Sequence, residues 1–145
     1  LKKKNMPIPN LKPVMELETR IETIKKIQKG QTVSYGRTWK AKKDTYLATI
    51  PIGYADGLLR QFSPGLKVKI NDKMYPIVGR ICMDQCMVDL GFNNTEVKRW
   101  DKVIIYGPKD NEALQDANDI ATMTNTIPYE IMTSICAKRV QKYFV

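Results

Sequence analysis

Short apolar segments that end within a few residues at Gly, Pro, Asn or Asp recur along most of this sequence. Val, Ile, Thr and Tyr are frequent in them, and these β-branched and aromatic residues favour strands. The segments cover residues 46–52, 66–70, 74–78, 81–90 and 102–106. Strands at such close spacing, separated by turns, predict a mainly β fold, a closed or partly closed antiparallel barrel. The segments 66–70 and 74–78 predict a hairpin that turns at residues 71–73.

The segment before this β region, residues 14–27, fits two patterns. Leu17, Ile21 and Ile24 recur at helical spacing, but apolar residues and Thr also alternate with charged residues through most of the segment. The high content of Thr and Ile favours one long strand.

The C-terminal part has a different pattern, which predicts one or two short helices. Asp110 or Asn111 is placed to cap a helix that continues to about Thr124. Pro128 fits the first position of a second helix, which would continue through residues 129–135, because proline has no N–H to leave unpaired there. Residues 139–144 are predicted to form a closing strand.

Length and composition indicate one folded domain preceded by an arm. A chain of 145 residues, 43% hydrophobic and 27% charged, can bury one ordinary core. Residues 1–13 contain three prolines and are expected to form a linker or extended arm, which leaves residues 14–145 as the domain. The chain begins at Leu1, without an initiator Met or an apolar signal segment, so we expect it to be cut from a longer protein. No apolar run approaches the roughly 20 residues of a membrane span, and we expect no membrane partner.

The formal charge of +9, from 24 basic and 15 acidic residues, raises an alternative function. A basic β-barrel can bind nucleic acid. The basic residues are scattered in short groups between acidic ones, however, which is typical of a solvated surface. A barrel that reads single strands also needs aromatic residues on one sheet face for base stacking, whereas several aromatic residues here lie in turn motifs. We therefore expect no nucleic-acid partner.

Three cysteines, Cys82, Cys86 and Cys136, and the absence of histidine limit the possible chemistry. An odd number of cysteines without a signal segment predicts reduced thiols in a cytoplasmic protein. Three residues separate Cys82 from Cys86, whereas zinc knuckles and redox pairs favour two, so we expect no metal site. Without histidine, a Ser-His or Cys-His catalytic pair within the chain is excluded.

Residues 79–85 (GRICMDQ) conflict with the strand pattern around them. A core strand requires apolar residues on at least one face, yet this run places Arg80, Asp84 and Gln85 close to Gly79. Such a conflict is expected at a functional site. The alternative is a strand with a glycine kink and a buried cysteine, which leaves the three polar residues unexplained.

Two further motifs place a tyrosine beside glycine, residues 33–36 (VSYG) and 53–57 (GYADG). Tyr35 is either a packed aromatic or an acid-base group. An ordinary tyrosine pKa near 10 requires nearby positive charge for work at neutral pH, and the candidates are Arg37, Arg60 and Arg80. The second motif is typical of a turn, which explains its glycines and Asp but not Tyr54.

A fourth motif, residues 127–131 (IPYEI), is typical of a helix start. The backbone N–H groups of such a start favour an anion, and the Tyr129 hydroxyl would be a further donor. Taken alone this signal is weak, because many helices begin in this way.

In this order, the four motifs resemble those of the bacterial, pyridoxal-phosphate-dependent alanine racemases. The resemblance covers nearly the whole chain, from about residue 11 to residue 140. In that family an N-terminal eight-stranded α/β barrel holds the cofactor on a lysine, and the C-terminal β domain of the partner subunit covers the site. The resemblance therefore implies the C-terminal β domain of a homodimeric isomerase that interconverts L- and D-alanine for peptidoglycan synthesis.

The same resemblance implies roles for individual residues. Tyr35 would be the base that faces the Cα of L-alanine, and the backbone N–H of Met83 would bind the substrate carboxylate. Tyr54 would narrow the substrate entrance, and Tyr129 would hydrogen-bond the cofactor phosphate. The remaining residues that line the site or its entrance would be Arg60, Arg80, Cys82 and Asp84.

The resemblance also implies what this chain lacks. Pyridoxal phosphate delocalises a carbanion at Cα, so the protein needs only a base on each face, Tyr35 and a lysine. That lysine would belong to the barrel, and the isolated chain is therefore expected to be inactive. Much of the substrate pocket would also belong to the barrel, which leaves alanine, serine and broader specificity open. A non-catalytic, stand-alone domain is the alternative if the gene encodes no barrel.

Overall fold

The computed structural model describes residues 11–63, 65–109 and 115–144 of the 145-residue chain. Most of the predicted arm and both predicted cap residues, Asp110 and Asn111, therefore lie outside the described residues. The described part contains nine strands and two α-helices: β1 Leu17–Arg20, β2 Thr23–Ile27, β3 Thr32–Val33, β4 Trp39–Lys40, β5 Thr45–Ile50, β6 Lys67–Ile70, β7 Lys73–Val78, β8 Cys86–Gly91, β9 Lys102–Tyr106, α1 Ala117–Met123 and α2 Pro128–Thr133.

Seven of the strands form one antiparallel sheet in the order β1-β9-β6-β7-β8-β5-β2. β1 and β2 are consecutive in the chain but lie at opposite ends of this order, so the sheet curls back toward itself as a half-barrel. The predicted mainly β, partly closed barrel with short C-terminal helices is confirmed.

The prediction of one long strand over residues 14–27 is wrong, because the chain changes partners inside it. The N–H of Ile21 donates to the carbonyl of Asp101, whereas the N–H of Glu22 donates to the carbonyl of Thr49. β1 consequently pairs with β9, and β2 pairs with β5. The side chain of Ile21 is fully buried at this switch, which fixes the corner of the half-barrel.

The core is made by the inward residues of the strands. In β8 burial alternates along the strand, with Cys86, Val88 and Leu90 buried and the residues between them partly exposed, because successive strand residues point to opposite faces. The hairpin of β6 and β7 turns at Asn71 and Asp72, and Asn71 adopts the left-handed conformation, with a φ of 52°, that such turns require.

The predicted strand over residues 81–90 is wrong in its first half. Residues 81–85 form a turn, in which the N–H of Cys82 donates to the carbonyl of Gln85, and the strand begins only at Cys86. The polar residues that conflicted with a strand pattern therefore lie outside any strand.

The C-terminal helices are shorter than predicted. Asp116 caps α1 through the N–H groups of Asn118 and Asp119, and Asp119 reciprocally accepts from the N–H of Asp116, a capping box. Pro128 occupies the first turn of α2, as predicted.

The closing strand predicted over residues 139–144 does not form. The N–H groups of Arg139 and Val140 both donate to the carbonyl of Cys136, so the backbone turns here instead of extending along a sheet edge.

Among the described residues, no helix combines the length and the apolar character needed to cross a membrane. Nor does the described part hold a group of three or more His, Cys, Asp or Glu side chains that could bind a metal ion.

Candidate functional site

The segment 79–83 is where the motifs predicted to form a site meet. Ser34 belongs to the motif that contains Tyr35, and its hydroxyl makes two hydrogen bonds with the backbone of Arg80. It donates to the Arg80 carbonyl at 2.5 Å and accepts from the Arg80 N–H at 3.0 Å. The Ser34 hydroxyl also lies 3.8 Å from the Sγ of Cys82. The loop that carries Tyr35 is therefore attached directly to the start of the turn that contains Met83.

Two glycines, which have no side chain, allow this close contact. A Cβ on Gly79 would lie 2.6 Å from the Cβ of Ser34, and a Cβ on Gly36 would lie 3.1 Å from a guanidinium nitrogen of Arg80. Both glycines adopt positive φ angles, 69° and 73°, which favour glycine in any case. The guanidinium of Arg80 is thus held against the residue that follows Tyr35.

The second tyrosine motif packs on the same segment from another side. The N–H of Tyr54 donates to the carbonyl of Cys82, and the N–H of Ala55 donates to the carbonyl of Met83, each at 3.0 Å. A Cβ on Gly53 would lie only 2.3 Å from the carbonyl oxygen of Cys82. Gly53 is therefore required for the two backbones to approach.

A buried carboxylate joins these turns to the C-terminal segment. Asp56 is only 8% exposed, and its side chain accepts from the N–H of Gly53 at 2.8 Å and from the Nε of Arg139 at 2.7 Å. A second guanidinium nitrogen of Arg139 donates to Asp84 at 2.5 Å. These two carboxylates raise the pKa of Arg139, first through the hydrogen bond that Arg139 donates to Asp56 and then through the one it donates to Asp84.

The Arg60 turn is attached to the same segment. Arg60 lies in a short 3-10 helix, Arg60–Phe62, and the hydroxyl of Ser63 donates to the carbonyl of Gly79. Gly79 thus contacts Ser34 on one side and the Arg60 turn on the other.

Helix α2 packs against the end of the GYADG motif. The hydroxyl of Ser134 donates to the carbonyl of Gly57 at 2.8 Å, and the N–H of Cys136 donates to the carbonyl of Asp56 at 2.9 Å. Tyr129 lies in the first turn of this helix with 69% of its surface exposed.

The motifs predicted to form a site thus lie together in part. Residues near Tyr35, Tyr54 and Met83 share direct hydrogen bonds, and Arg60 joins them through Ser63. Within the described residues Tyr129 makes no hydrogen bond to Tyr35 or Met83, and it is connected to them through the packing of α2 against the GYADG motif.

Sequence reasoning overlooked several residues that hold this arrangement. Asp56 was assigned only to a turn, Arg139 only to a strand, and Ser34 and Ser63 were given no role. Two of them stand in the tyrosine motifs: Ser34 lies beside Tyr35, and Asp56 lies two residues after Tyr54. Asp56 and Arg139 are 83 positions apart in the chain, and no local pattern indicates their contact.

Two groups in this region are exposed and chemically available. Tyr35 is 71% exposed and Met83 51% exposed. In the described part of the chain, neither the Tyr35 hydroxyl nor the Met83 N–H has a hydrogen-bond partner. A phenol and a free backbone donor suit an acid-base group and an anion contact, respectively.

The cysteines have a different character. Burial raises the pKa of the Cys86 thiol well above its ordinary value, so this thiol stays neutral. Cys82 is also buried, next to Ser34. Neither cysteine is exposed as a nucleophile.

Comparison with known proteins gives the family. The family "Alanine racemase, C-terminal domain" matches residues 14–144. An alanine racemase of Treponema denticola is 53% identical over 138 residues, which are 94% of this chain and 36% of that protein. An alanine racemase of Clostridium novyi is 46% identical over 93% of this chain and 34% of its own length.

Solved structures agree with this match. The alanine racemase from Streptomyces coelicolor superposes with a TM-score of 0.82 at 36% identity, covering 88% of this chain and 33% of that one. The alanine racemase from Bacillus anthracis with bound L-Ala-P superposes with a TM-score of 0.75 at 40% identity, covering 83% of this chain and 30% of that one. The chain spans about a third of the length of the relatives it matches. It belongs to the family of alanine racemase C-terminal domains.

Proposed function

We propose that this chain is the C-terminal β domain of a cytoplasmic, pyridoxal-phosphate-dependent alanine racemase, which interconverts L- and D-alanine for peptidoglycan synthesis. In this proposal residues 1–13 link an N-terminal α/β barrel to the domain of residues 14–145. Two such subunits form a homodimer, and each β domain covers the cofactor site of its partner. The isolated chain is inactive.

The observation that carries the proposal is the attachment of the Tyr35 loop and the Tyr54 turn to one short segment, residues 80–83. Ser34 bonds to Arg80, and the Tyr54 turn bonds to Cys82 and Met83. An exposed phenol and a free backbone donor are therefore carried by one rigid unit. A reaction that removes a proton from an amino acid requires such a pair, a base for Cα and a contact for the carboxylate.

The residues present fit part of a cofactor site. Tyr129 offers an exposed phenol for the phosphate of pyridoxal phosphate, and its hydroxyl has no partner among the described residues. The resemblance to the family assigns the cofactor lysine to the barrel. When bound, pyridoxal phosphate supplies delocalisation of the negative charge that develops at Cα.

The residues of this chain act around the substrate in the following way. The N–H of Met83 binds one carboxylate oxygen of alanine and so fixes the orientation of Cα. Tyr35 takes the proton from the L face of Cα and returns it there in the reverse direction. Arg80 stands beside the Tyr35 loop, with its guanidinium against Gly36. A barrel lysine serves the opposite face.

The remaining residues shape the approach to the site. Tyr54, which is partly exposed, narrows the substrate entrance. Arg60 and Arg80, both exposed, line the entrance with positive charge, which attracts the carboxylate of the substrate. Cys82 and Asp84 flank Met83, and Asp84 is held by Arg139.

The experiment has two parts. The full-length gene product, loaded with pyridoxal phosphate, should convert L-alanine to D-alanine, measured with a D-amino-acid oxidase assay. The 145-residue chain alone should give no turnover and no saturable cofactor absorbance band at one lysine. Stoichiometric binding at one lysine of the isolated chain, or an inactive full-length protein, would contradict the proposal.

A further inference from the structure

The backbone of Ser34 adopts a conformation that residues with a Cβ avoid. Its φ is 66° and its ψ is 172°, a region that is populated almost only by glycine. The next residue is Tyr35, and the two after that, Gly36 and Arg37, also have positive φ angles of 73° and 50°. Such conformations persist only where the surroundings impose them.

The surroundings of Ser34 do impose it. Its hydroxyl both donates to and accepts from the backbone of Arg80, at 2.5 Å and 3.0 Å. The absent side chain of Gly79 leaves the space that the Cβ of Ser34 occupies. A single side chain thus closes a two-point contact across 46 positions of sequence.

This contact decides where the Tyr35 side chain points. Tyr35 is exposed and its hydroxyl bonds to nothing in the described ranges, so the phenol is not oriented by contacts of its own. Its direction follows from the backbone on either side. Within the described ranges, Ser34 is the residue that attaches this backbone through a side-chain hydrogen bond. A change of sign of φ at position 34 would rotate the following residue away from its present direction.

We propose that Ser34 is the positioning residue for Tyr35, because its hydroxyl locks the left-handed backbone that directs the phenol toward the substrate. This inference rests on the proposed function of Tyr35 as a base. It assigns Ser34 no proton transfer and no contact with substrate.

Two substitutions separate a conformational role from a chemical one. Ser34→Ala removes the hydroxyl but keeps the Cβ. The backbone loses the two hydrogen bonds to Arg80 that hold its conformation, and it should relax to a negative φ. Ser34→Gly also removes the hydroxyl, but glycine adopts the observed φ and ψ without steric cost. If the role is positioning, glycine should restore much of what alanine loses. If the hydroxyl acts chemically, both variants should lose activity equally.

In the full-length enzyme we expect Ser34→Ala to lower kcat by about 10², the order of loss caused by misplacing a reacting group by about 1 Å. Ser34→Gly should remain within about tenfold of wild type. KM should change by less than about threefold in both, because the carboxylate contact belongs to Met83. Thr45→Val is the matched control: it deletes a hydroxyl hydrogen bond to Asp89 at the far end of β5, and it should leave kcat unchanged.

Crystal structures of the Ser34→Ala and Ser34→Gly variants of the 145-residue chain give a readout that does not depend on catalysis. We expect a positive φ at position 34 in the glycine variant, and a negative φ with a displaced Tyr35 in the alanine variant. Gly79→Ala, whose Cβ would lie 2.6 Å from that of Ser34, perturbs the same contact with Ser34 intact and should displace Tyr35 as well; it replaces Ser34→Ala if that variant does not fold.

Equal kcat losses in the alanine and glycine variants would overturn the inference, as would an undisplaced Tyr35 in the structure of the alanine variant. These outcomes differ from failure of the proposed function, which would appear as a wild-type full-length protein without racemase activity. In that case the crystal structures still decide whether Ser34 sets the direction of Tyr35.

Discussion

The closest backbone approach in the candidate site occurs at Gly53, and Gly53→Ala tests it. The added Cβ would lie 2.3 Å from the carbonyl oxygen of Cys82 and 2.4 Å from that of Met83. Non-bonded atoms prefer a separation of about 3.5 Å, so the two turns must move apart by about 1 Å. That movement breaks or weakens the hydrogen bonds from Tyr54 and Ala55, both 3.0 Å long.

The expected cost can be added from these parts. Two backbone hydrogen bonds contribute about 1 kcal/mol each, and residual overlap in a packed region costs about 1–3 kcal/mol. Gly53→Ala should therefore lower the free energy of unfolding by about 3–5 kcal/mol. A domain with a stability near the middle of the usual range, about 10 kcal/mol, retains its fold after such a loss in the absence of denaturant.

Urea unfolding of the 145-residue chain, followed by circular dichroism, measures this loss. With a slope of about 2 kcal/mol per molar urea, the midpoint should fall by about 2 M. Gly91→Ala is the control, because its Cβ would meet nothing within 4 Å although its φ is 85°. It should lose only the cost of a left-handed alanine, about 1–2 kcal/mol. If Gly53→Ala is no more destabilising than Gly91→Ala, the direct contact between the two turns is not what holds the site together.

Two further predictions concern Arg139 and the buried ionisable groups. In the full-length enzyme, Arg139→Met should raise KM for alanine roughly tenfold with little change in kcat, because it frees Asp84 beside Met83 and leaves buried Asp56 with the Gly53 N–H but without its guanidinium partner. Lys138→Met should change neither constant. The stability of the 145-residue chain should fall as pH rises above about 9, because burial raises the pKa of Cys86 in the folded state, so the unfolded chain loses this proton first. This thiol lowers the free energy of unfolding by at most about 1.4 kcal/mol per pH unit. In urea titrations between pH 7 and pH 10, the free energy of unfolding of a Cys86→Ala variant should decline less steeply than that of wild type.

The strands could be predicted from the sequence because their pattern is local. The predicted strand over residues 102–106 has the same bounds in the structure. The predicted hairpin turn at residues 71–73 differs from the observed turn at residues 71–72 by one residue. The change of partner at Ile21 and Glu22 could not be predicted in this way. It depends on Asp101 and Thr49, which lie far away in the chain, and an alternating pattern carries no information about which strand is the neighbour.

The candidate site was predictable to the extent that its residues break local rules. The polar run of residues 79–85 was recognised by its conflict with a strand, and it does form a turn. The contacts of Arg139 with Asp56 and Asp84 could not be recognised, because an arginine near the C-terminus is unremarkable on any pattern. The strain at Ser34 was also invisible, since a backbone angle imposed by a distant residue leaves no signal in composition or spacing.

Tyr35 is proposed to act as the base for the L face, and removing its hydroxyl tests this role. Tyr35→Phe in the full-length protein keeps the ring, so the fold and the cofactor spectrum should persist. Racemisation should fall by about 10² to 10⁴. Because the equilibrium constant between the enantiomers is one, this loss in kcat/KM must be equal in both directions. The role of Tyr35 is therefore visible in hydrogen exchange rather than in net turnover.

The decisive measurement is the exchange of the Cα proton with D2O, followed by proton NMR for each enantiomer separately. If Tyr35 is the base for the L face, the phenylalanine variant should exchange L-alanine far more slowly than wild type. It should still exchange D-alanine, with retention of configuration, because the lysine on the opposite face is intact. Equal and small losses of exchange from both enantiomers would contradict the account, since Tyr35 would then be an exposed aromatic without a role in proton transfer.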